Sequence, residues 1–208
     1  MEQLIQSRDG EKFVREPLIT QHLKKRWSPR SFISEPMNLK TLQQIFEAAA
    51  TSMSSYNEQP WNIILTQKGN PLYEKLFNCL SEFNQEWVST APCLGAVVSK
   101  KYFTQSRKEN RHRFYDSGAF MAYASLQACE LGYQIHQMAG FSPGKLMMDL
   151  KIPHTYEAAT MFVIGKPGSP DKLPVNLQKQ EKQKSSRKAL SSFIFSTSWG
   201  ESYNFEED

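Results

Sequence analysis

A chain of 208 residues, of which 39% are hydrophobic and 22% charged, can bury one good core, so we expect one domain rather than two. The formal net charge of +4 allows an anionic ligand but is too small to indicate nucleic acid. No apolar run approaches the ~20 residues that a membrane span requires. Residues Met1 to Arg15 are polar and charged and lack the apolar stretch of a secretory signal, which predicts a cytoplasmic location.

The cysteines and histidines do not indicate a disulfide framework or a metal site. Cys79, Cys93 and Cys129 are odd in number and far apart, and each lies within or beside an apolar pattern. We therefore expect three small buried thiols. The four histidines show neither ligand spacing nor a nearby cysteine, so no metal is expected.

The first two elements in chain order are helices. Apolar residues at helical spacing run from Pro17 to Lys25. After a proline break, Asn38 is suited to cap a second helix from Leu39 to Thr51, whose apolar residues form one stripe.

A basic turn separates these helices. Pro29 disfavours continuation of the first helix, so the side chains of Arg26, Ser28 and Arg30 are free to converge. Two guanidinium groups with a hydroxyl between them suit a phosphate, which arginine can bind through two hydrogen bonds. A solvated basic loop would have the same composition and remains an alternative.

A polar loop from Met53 to Trp61 follows the second helix. Its serine, asparagine and glutamine side chains stand beside a rigid Pro60-Trp61 step and could face a flat heteroaromatic ligand. An ordinary polar loop that leads into a strand is the alternative.

Helices and strands then alternate along the chain. Asn70-Pro71 and Ser142-Pro143 each predict a helix start, and a long helix runs from about Phe114 to a stop at Gly132. The predicted strands are Trp61 to Gln67, Ala91 to Val98, the short segment Tyr133 to Phe141, and Tyr156 to Gly165. The order of these elements predicts an α/β or an α+β domain in which consecutive strands need not be neighbours.

Three further stretches are polar or exposed. Lys100 to Arg113 is expected to be a mobile surface segment or lid, and Lys166 to Ser186 a linker or extended arm. The tail carries Phe193, Trp199, Tyr203 and Phe205, so we expect it to pack on the body or on a partner subunit.

Six short motifs stand in a fixed order: Arg26-Trp27-Ser28-Pro29-Arg30-Ser31-Phe32, Met53 to Trp61, Asn84 ahead of Ala91-Pro92, Asp116-Ser117-Gly118, Ala139-Gly140-Phe141, and Arg187. Over nearly all of residues 16 to 190, this set resembles the FMN-dependent nitroreductase family. The family's first two motifs read Arg-Arg-Ser-x-Arg-x-Phe and Pro-Ser-x-x-Asn-x-Gln-Pro-Trp. The chain departs from the family pattern at Trp27, Met53 and Ala139, so the resemblance does not define its substrate preference.

The resemblance implies an α+β fold in which a central mixed sheet is flanked by helices, in an intertwined homodimer with two FMN sites at the interface. Residues 1 to 208 would form one domain, with a core at 16 to 190, a lead-in at 1 to 15 and a C-terminal arm at 191 to 208.

The resemblance also implies a role for each site residue. Arg26, Ser28 and Arg187 would hold the FMN phosphate, with the backbone of Trp27, while Arg30 and Asn84 would lie at the pyrimidine end of the ring. Ser54, Ser55 and Asn57 of the other subunit would line the ring edge. The backbone of Ala139 and Gly140 would face flavin N5.

The implied activity is hydride transfer from NAD(P)H through FMN to a nitroaromatic, quinone or similar acceptor by a ping-pong mechanism. No side chain is expected to be catalytic. A flavin-binding or flavin-storing protein that does not turn over would share the fold, with the tail aromatic residues or the segment Lys100 to Arg113 covering the ring. A nucleic-acid-binding module that uses Arg107 to Arg113 and Lys179 to Lys188 is disfavoured, because these runs contain acidic residues and lack interleaved aromatic residues.

Overall fold

The computed structural model describes residues 4–6, 12–14, 18–183 and 185–205. Its strands are β1 (Leu4–Gln6), β2 (Lys12–Val14), β3 (Trp61–Gln67), β4 (Cys93–Lys100), β5 (Gln134–Met138) and β6 (Tyr156–Gly165). Its helices are α1 (Leu18–Lys25), α2 (Leu39–Ala50), α3 (Pro71–Phe77), α4 (Glu82–Val88), α5 (Arg113–Glu130), α6 (Pro143–Asp149) and α7 (Val175–Lys182). Short 3₁₀ turns occupy Ser55–Asn57, Pro170–Lys172 and Leu190–Ser192.

Strands β3, β4, β6 and β5 form the central sheet in that spatial order, and β1 and β2 pair as a separate antiparallel sheet of two strands. The α+β class is confirmed, but the expected mixed sheet is wrong for the described chain, because every neighbouring pair is antiparallel. The reason lies in the strand order. Strands β4 and β5 run in the same direction, but β6 lies between them and runs the opposite way to both.

The sheet separates two apolar clusters. One cluster contains Leu76 of α3, Trp87 of α4 and Leu146 of α6, and the other contains Ile45 of α2 and Phe120 of α5. Successive residues of β4 alternate between the clusters, as side chains of a strand must. Both faces of the sheet are therefore covered by helices.

Helix starts follow the predicted capping chemistry. The side chains of Asn38, Asn70 and Ser142 each accept a backbone hydrogen bond at the start of α2, α3 and α6. Pro71 and Pro143 occupy the first turns of α3 and α6, where a missing N–H costs nothing.

Two helices were not predicted. Helix α4 lies in the stretch before β4, and α7 lies in the stretch expected to be a linker or arm. Each buries a polar side chain, Asn84 in α4 and Glu181 in α7. The expected surface segment at 100–113 forms turns whose backbone is hydrogen-bonded, including Asn110 N–H to the Lys101 carbonyl at 2.7 Å.

The three cysteines differ in burial. Cys79 and Cys93 are buried and Cys129 is half-buried, and burial raises the pKa of Cys93 to about 12.

The tail does not bury its aromatic rings on its own chain, since Trp199 is 93% exposed and Phe193 is 52% exposed. Its rings contact one another, as in the pair Phe195 and Trp199 with centroids 5.1 Å apart.

Among the described residues, the longest helices lack the length and apolar character that would let them span a membrane.

Candidate functional site

A basic cavity of about 670 Å³ lies between the turn that follows α1 and the segment that follows α7. Five predicted site residues line it: Arg26, Trp27, Ser28, Arg30 and Arg187. The other lining residues are Leu23, Lys24, His136, Gln180, Glu181, Gln183 and Ser185. The fold thus brings the basic turn and the late arginine together, although most of the chain separates them in sequence.

The backbone of the basic turn is held by side chains from elements that are distant in sequence. The Trp27 N–H donates to Gln134 Oε1 at 3.2 Å, and the Arg30 and Ser31 N–H groups donate to the same oxygen, Glu181 Oε1, at 2.8 and 3.2 Å. Because its N–H is already engaged, the Trp27 backbone has no free donor for the phosphate contact that the resemblance implies.

Arg30 lines this cavity and carries an unsatisfied donor. Its Nε is buried and has no hydrogen-bond partner, and its guanidinium carbon lies 6.0 Å from the ring centroid of Phe83. A buried polar atom without a partner is uncommon in folded proteins. The arrangement therefore fits an acceptor group of a ligand that occupies the cavity beside Arg30.

His136 supports the turn from β5. Its Nδ1 lies 2.8 Å from the Pro29 carbonyl oxygen, which can only accept, so Nδ1 carries the proton. Its ring packs on Trp87 with centroids 4.6 Å apart. Burial lowers the pKa of His136, and the charge of Arg30 lowers it further, against the opposing effect of the Pro29 hydrogen bond. His136 is therefore neutral near pH 7.

Asn84 and the 139–141 loop are in contact. Asn84 is buried, and its Nδ2 donates to the Gly140 carbonyl at 2.8 Å. A Cβ on Gly140 would lie 2.7 Å from that Nδ2 and 2.8 Å from Ser81 Oγ. The close approach at Gly140 is thus to Asn84 and Ser81 of the same chain, while Ala139 is exposed.

The polar loop with Ser54, Ser55 and Asn57 does not line the basic cavity. The Ser55 N–H donates to the buried carboxylate of Asp116 at 3.1 Å, and Ser54 Oγ accepts from Gln59 N–H at 3.0 Å. Within one chain, these loop residues therefore stand apart from the basic cavity, and Asn84, Ala139 and Gly140 do not line it either.

The loop is conformationally strained. Tyr56, Asn57 and Gln59 have φ of 53°, 54° and 50°, a left-handed conformation that costs side-chain-bearing residues about 1–3 kcal/mol each. Glu58 ties the loop to Lys100 and Thr104, and Asn57 lines a second cavity of about 620 Å³ with Tyr56 and Phe103. Clustered strain of this kind is typical of functional loops.

Three residues that organise these sites were missed in the sequence: Gln134, His136 and Glu181. Asp116 was quoted in a motif, but its contact with the polar loop was not predicted. Gln134 and His136 alternate along β5 and so share one face of the strand, which is a readable signal. Leu177 and Glu181 are four residues apart and mark one buried helical face in a Lys- and Gln-rich stretch. Nothing local indicated that Asp116 reaches Ser55.

Among the described residues, no group of three or more His, Cys, Asp or Glu residues could hold a metal ion.

Comparison with known proteins gives matches in both sequence and structure. Residues 23–80 match the model of the Nitroreductase family. The comparison with curated proteins gave no significant match.

Three solved structures illustrate the structural similarity. An oxidoreductase containing FMN superposes with a TM-score of 0.81 at 27% identity, over 94% of this chain and 98% of the other. A nitroreductase from Desulfovibrio desulfuricans in complex with FMN gives 0.71 at 17% identity, over 89% and 99%. A variant of an FMN and NADPH-dependent nitroreductase derived from a Sphigopyxis strain gives 0.70 at 15% identity, over 88% and 100%.

The sequence match covers the basic turn, the polar loop and β3, and the structural match covers nearly the whole chain. Together they confirm the resemblance of this chain to the FMN-dependent nitroreductase family and show that it has the nitroreductase fold.

Proposed function

We propose that the protein is an FMN-dependent oxidoreductase that transfers hydride from NADH or NADPH to a nitroaromatic, quinone or related acceptor. The observation that carries the proposal is the convergence of Arg26, Ser28, Arg30 and Arg187 on one cavity. The FMN named for the structure at 27% identity supports the choice of cofactor.

The donors in the cavity fit a phosphate ester. Arg26 and Arg187 supply two guanidinium groups and Ser28 a hydroxyl, while Lys24 adds charge at the rim. Arginine binds phosphate oxygens through paired, charge-assisted hydrogen bonds. We therefore assign the phosphate to these side chains and leave the Trp27 N–H in its hydrogen bond to Gln134.

Arg30 and Asn84 continue the site away from the phosphate. Arg30 lies against Phe83, the neighbour of Asn84 in α4, and Asn84 contacts Gly140. This continuity supports a flavin pyrimidine ring beside Arg30 and Asn84, with the ring centre near Ala139 and Gly140. The partnerless Nε of Arg30 would meet an acceptor there.

FMN, when bound, supplies the ring that accepts and returns hydride. The chain's own residues bind and orient it, and the Arg30 cation favours negative charge at the pyrimidine end. No side chain is assigned as catalytic. Donor and acceptor would use one ring face in turn, which is a ping-pong order.

The site would be completed by a second copy of the chain in a homodimer. Ser54, Ser55 and Asn57 stand apart from their own chain's cavity, which supports their contribution to the partner's ring edge. The apolar residues that the chain leaves exposed supply a surface for this association: Leu18, Ile19 and Leu23 of α1, with Phe193, Trp199, Tyr203 and Phe205 of the tail.

Titration of the apoprotein with FMN and with riboflavin, followed by flavin fluorescence, tests the proposal. We expect FMN to bind more tightly, because riboflavin lacks the phosphate. Arg187→Ala should weaken FMN about 10- to 100-fold and riboflavin little, whereas Lys179→Ala, on the exposed face of α7, should change neither. Protein that shows no flavin absorbance after FMN is added would contradict the proposal.

A flavin-binding protein without turnover is the second candidate, because the exposed tail rings, above all Trp199, could cover a neighbouring site. Anaerobic addition of NADH or NADPH distinguishes the two. The enzyme's bound flavin is bleached, and that of a storage protein stays oxidised.

A further inference from the structure

A buried carboxylate lies in the basic cavity, where a phosphate-binding site has no obvious use for it. Glu181 is only 7% exposed, and it lines the same cavity as Arg26, Arg30 and Arg187. Its negative charge would oppose a dianionic ligand. Because this buried negative charge would oppose an anionic ligand, the burial of Glu181 must serve another purpose.

The hydrogen bonds of Glu181 supply that reason. One oxygen, Oε1, accepts both the Arg30 N–H at 2.8 Å and the Ser31 N–H at 3.2 Å. Two buried backbone N–H groups without an acceptor would destabilise the fold. Ser31 is itself fully buried, so water cannot replace the carboxylate there.

Glu181 works with β5 to hold the turn from two sides. Gln134 accepts from Trp27 N–H and His136 donates to the Pro29 carbonyl, while α7 holds Arg30 and Ser31. Helix α7 also leads directly into the segment that carries Ser185 and Arg187 to the other wall of the cavity. Glu181 thus contacts the turn on one wall of the cavity and belongs to the helix that precedes the other wall.

We propose that Glu181 is a positioning residue that fixes the Arg26–Ser31 turn in its cofactor-binding shape through its acceptor oxygen, not through its charge. The inference rests on the proposed function for its effect on FMN, but the ordering of the turn is independent of any ligand. Two substitutions separate acceptor from charge. Glu181→Gln and Glu181→Met both remove the charge and keep the side-chain length, and only Gln retains an oxygen that can accept from both N–H groups.

Three measurements on the full-length chain test the proposal. In FMN titrations, Glu181→Gln should bind within about 3-fold of wild type or more tightly, and Glu181→Met about 10- to 100-fold more weakly. The reduction potential of bound FMN should fall in Glu181→Met and not in Glu181→Gln, because Arg30 loses its position; a purely stabilising role would leave the potential unchanged. Lys179→Ala on the same helix is the control.

Hydrogen exchange of the apoprotein separates this proposal from the proposed function. The amides of Arg30 and Ser31 should exchange faster in Glu181→Met and at the wild-type rate in Glu181→Gln. If wild type fails to bind FMN but this pattern holds, the positioning role stands and the proposed function fails. Should Glu181→Met not fold, Glu181→Ala takes its place in the same comparison. Equal loss in the Gln and Met variants, or unchanged exchange in the Met variant, would overturn the proposal.

Discussion

The side-chain amide of Asn84 donates to the carbonyl oxygen of Gly140 at 2.8 Å, which holds the 139–141 loop against the start of α4. The Gly140 carbonyl also accepts from the Ser81 N–H at 2.9 Å. The loop is therefore anchored twice to the turn that begins α4. No residue larger than glycine fits at this contact without displacement of Asn84 or Ser81.

Replacing Gly140 with alanine should destabilise the protein by about 1–3 kcal/mol, because the new Cβ would clash with Asn84 Nδ2 and Ser81 Oγ. Urea unfolding of both proteins measures the change. Gly144→Ala is the matched control, since nothing lies within 4 Å of a Cβ at that helical position, and its expected effect is stabilising by about 0.5–1 kcal/mol. Equal stability of Gly140→Ala and wild type would show that the contact is not tight.

Arg26 and Arg30 should have separable roles in the proposed flavoprotein. Arg26→Ala should weaken FMN about 10- to 100-fold with little change in the reduction potential of the residual bound flavin, because it removes a phosphate contact. Arg30→Ala should lower the reduction potential of the bound flavin, because it removes the cation beside the pyrimidine end. Expressed as free energies, this effect should be larger than the loss of FMN affinity. Potentiometric titration and FMN affinity, measured on the same preparations, decide the matter. If both variants lose affinity alone, the division of roles is wrong.

His136 should make the apoprotein less stable as the pH falls below neutrality. Its pKa in the folded protein is lowered from the ordinary 6.5, mainly by burial, so below 6.5 the unfolded chain takes up a proton that the folded chain does not. The associated stability is fully present above the unfolded pKa and is lost as the pH falls toward the folded pKa, with a limiting slope of about 1.4 kcal/mol per pH unit.

His136→Asn isolates this effect, because an asparagine amide can donate to the Pro29 carbonyl but does not titrate. The variant should be less stable at about pH 7.5, where the Trp87 packing is lost, yet its stability should fall less steeply toward about pH 5.5. Denaturant unfolding at several pH values provides both curves. The other histidines are common to both proteins, so parallel curves would rule out His136 as the titrating group.

The elements that were predicted from the sequence are those whose local pattern is sufficient to define them. Strand β6 was predicted and observed at Tyr156–Gly165, because a long apolar run is buried on both sides. The starts of α2, α3 and α6 followed from their cap residues, which act within one turn. The antiparallel pairing of the strands could not be predicted in this way, since it depends on β6 lying between β4 and β5.

The elements that were missed bury polar residues whose partners are far away in sequence. Asn84 in α4 is satisfied by Gly140, and Glu181 in α7 by the N–H groups of Arg30 and Ser31. A local apolar pattern treats such residues as exposed, so both helices looked like connections. The same limit applies to the candidate site. The resemblance identified the arginines that line the cavity. It did not identify Gln134, His136 and Glu181, which hold the turn through hydrogen bonds to its backbone.

A mixed-dimer experiment tests whether each site takes residues from two chains. One chain carries Arg26→Ala and the other Asn57→Ala, with different affinity tags, and the heterodimer is isolated by sequential purification. If the Asn57 loop of one chain completes the Arg26 cavity of its partner, one site receives both defects and the other receives none. The heterodimer should then bind one FMN with wild-type affinity, although both variant homodimers bind weakly. A chain that remains monomeric in light scattering would end this assignment.

The control heterodimer combines Arg26→Ala with Arg187→Ala. Both arginines line the cavity of one chain, so each cavity keeps one defect in any pairing and no native site can form. Recovery of a tight site in the Arg26/Asn57 pair but not in the Arg26/Arg187 pair separates contribution by the partner from general stabilisation by dimer formation. Weak binding at both sites of the Arg26/Asn57 pair would instead mean that Asn57 does not act across the interface, because a shared site must leave one copy intact.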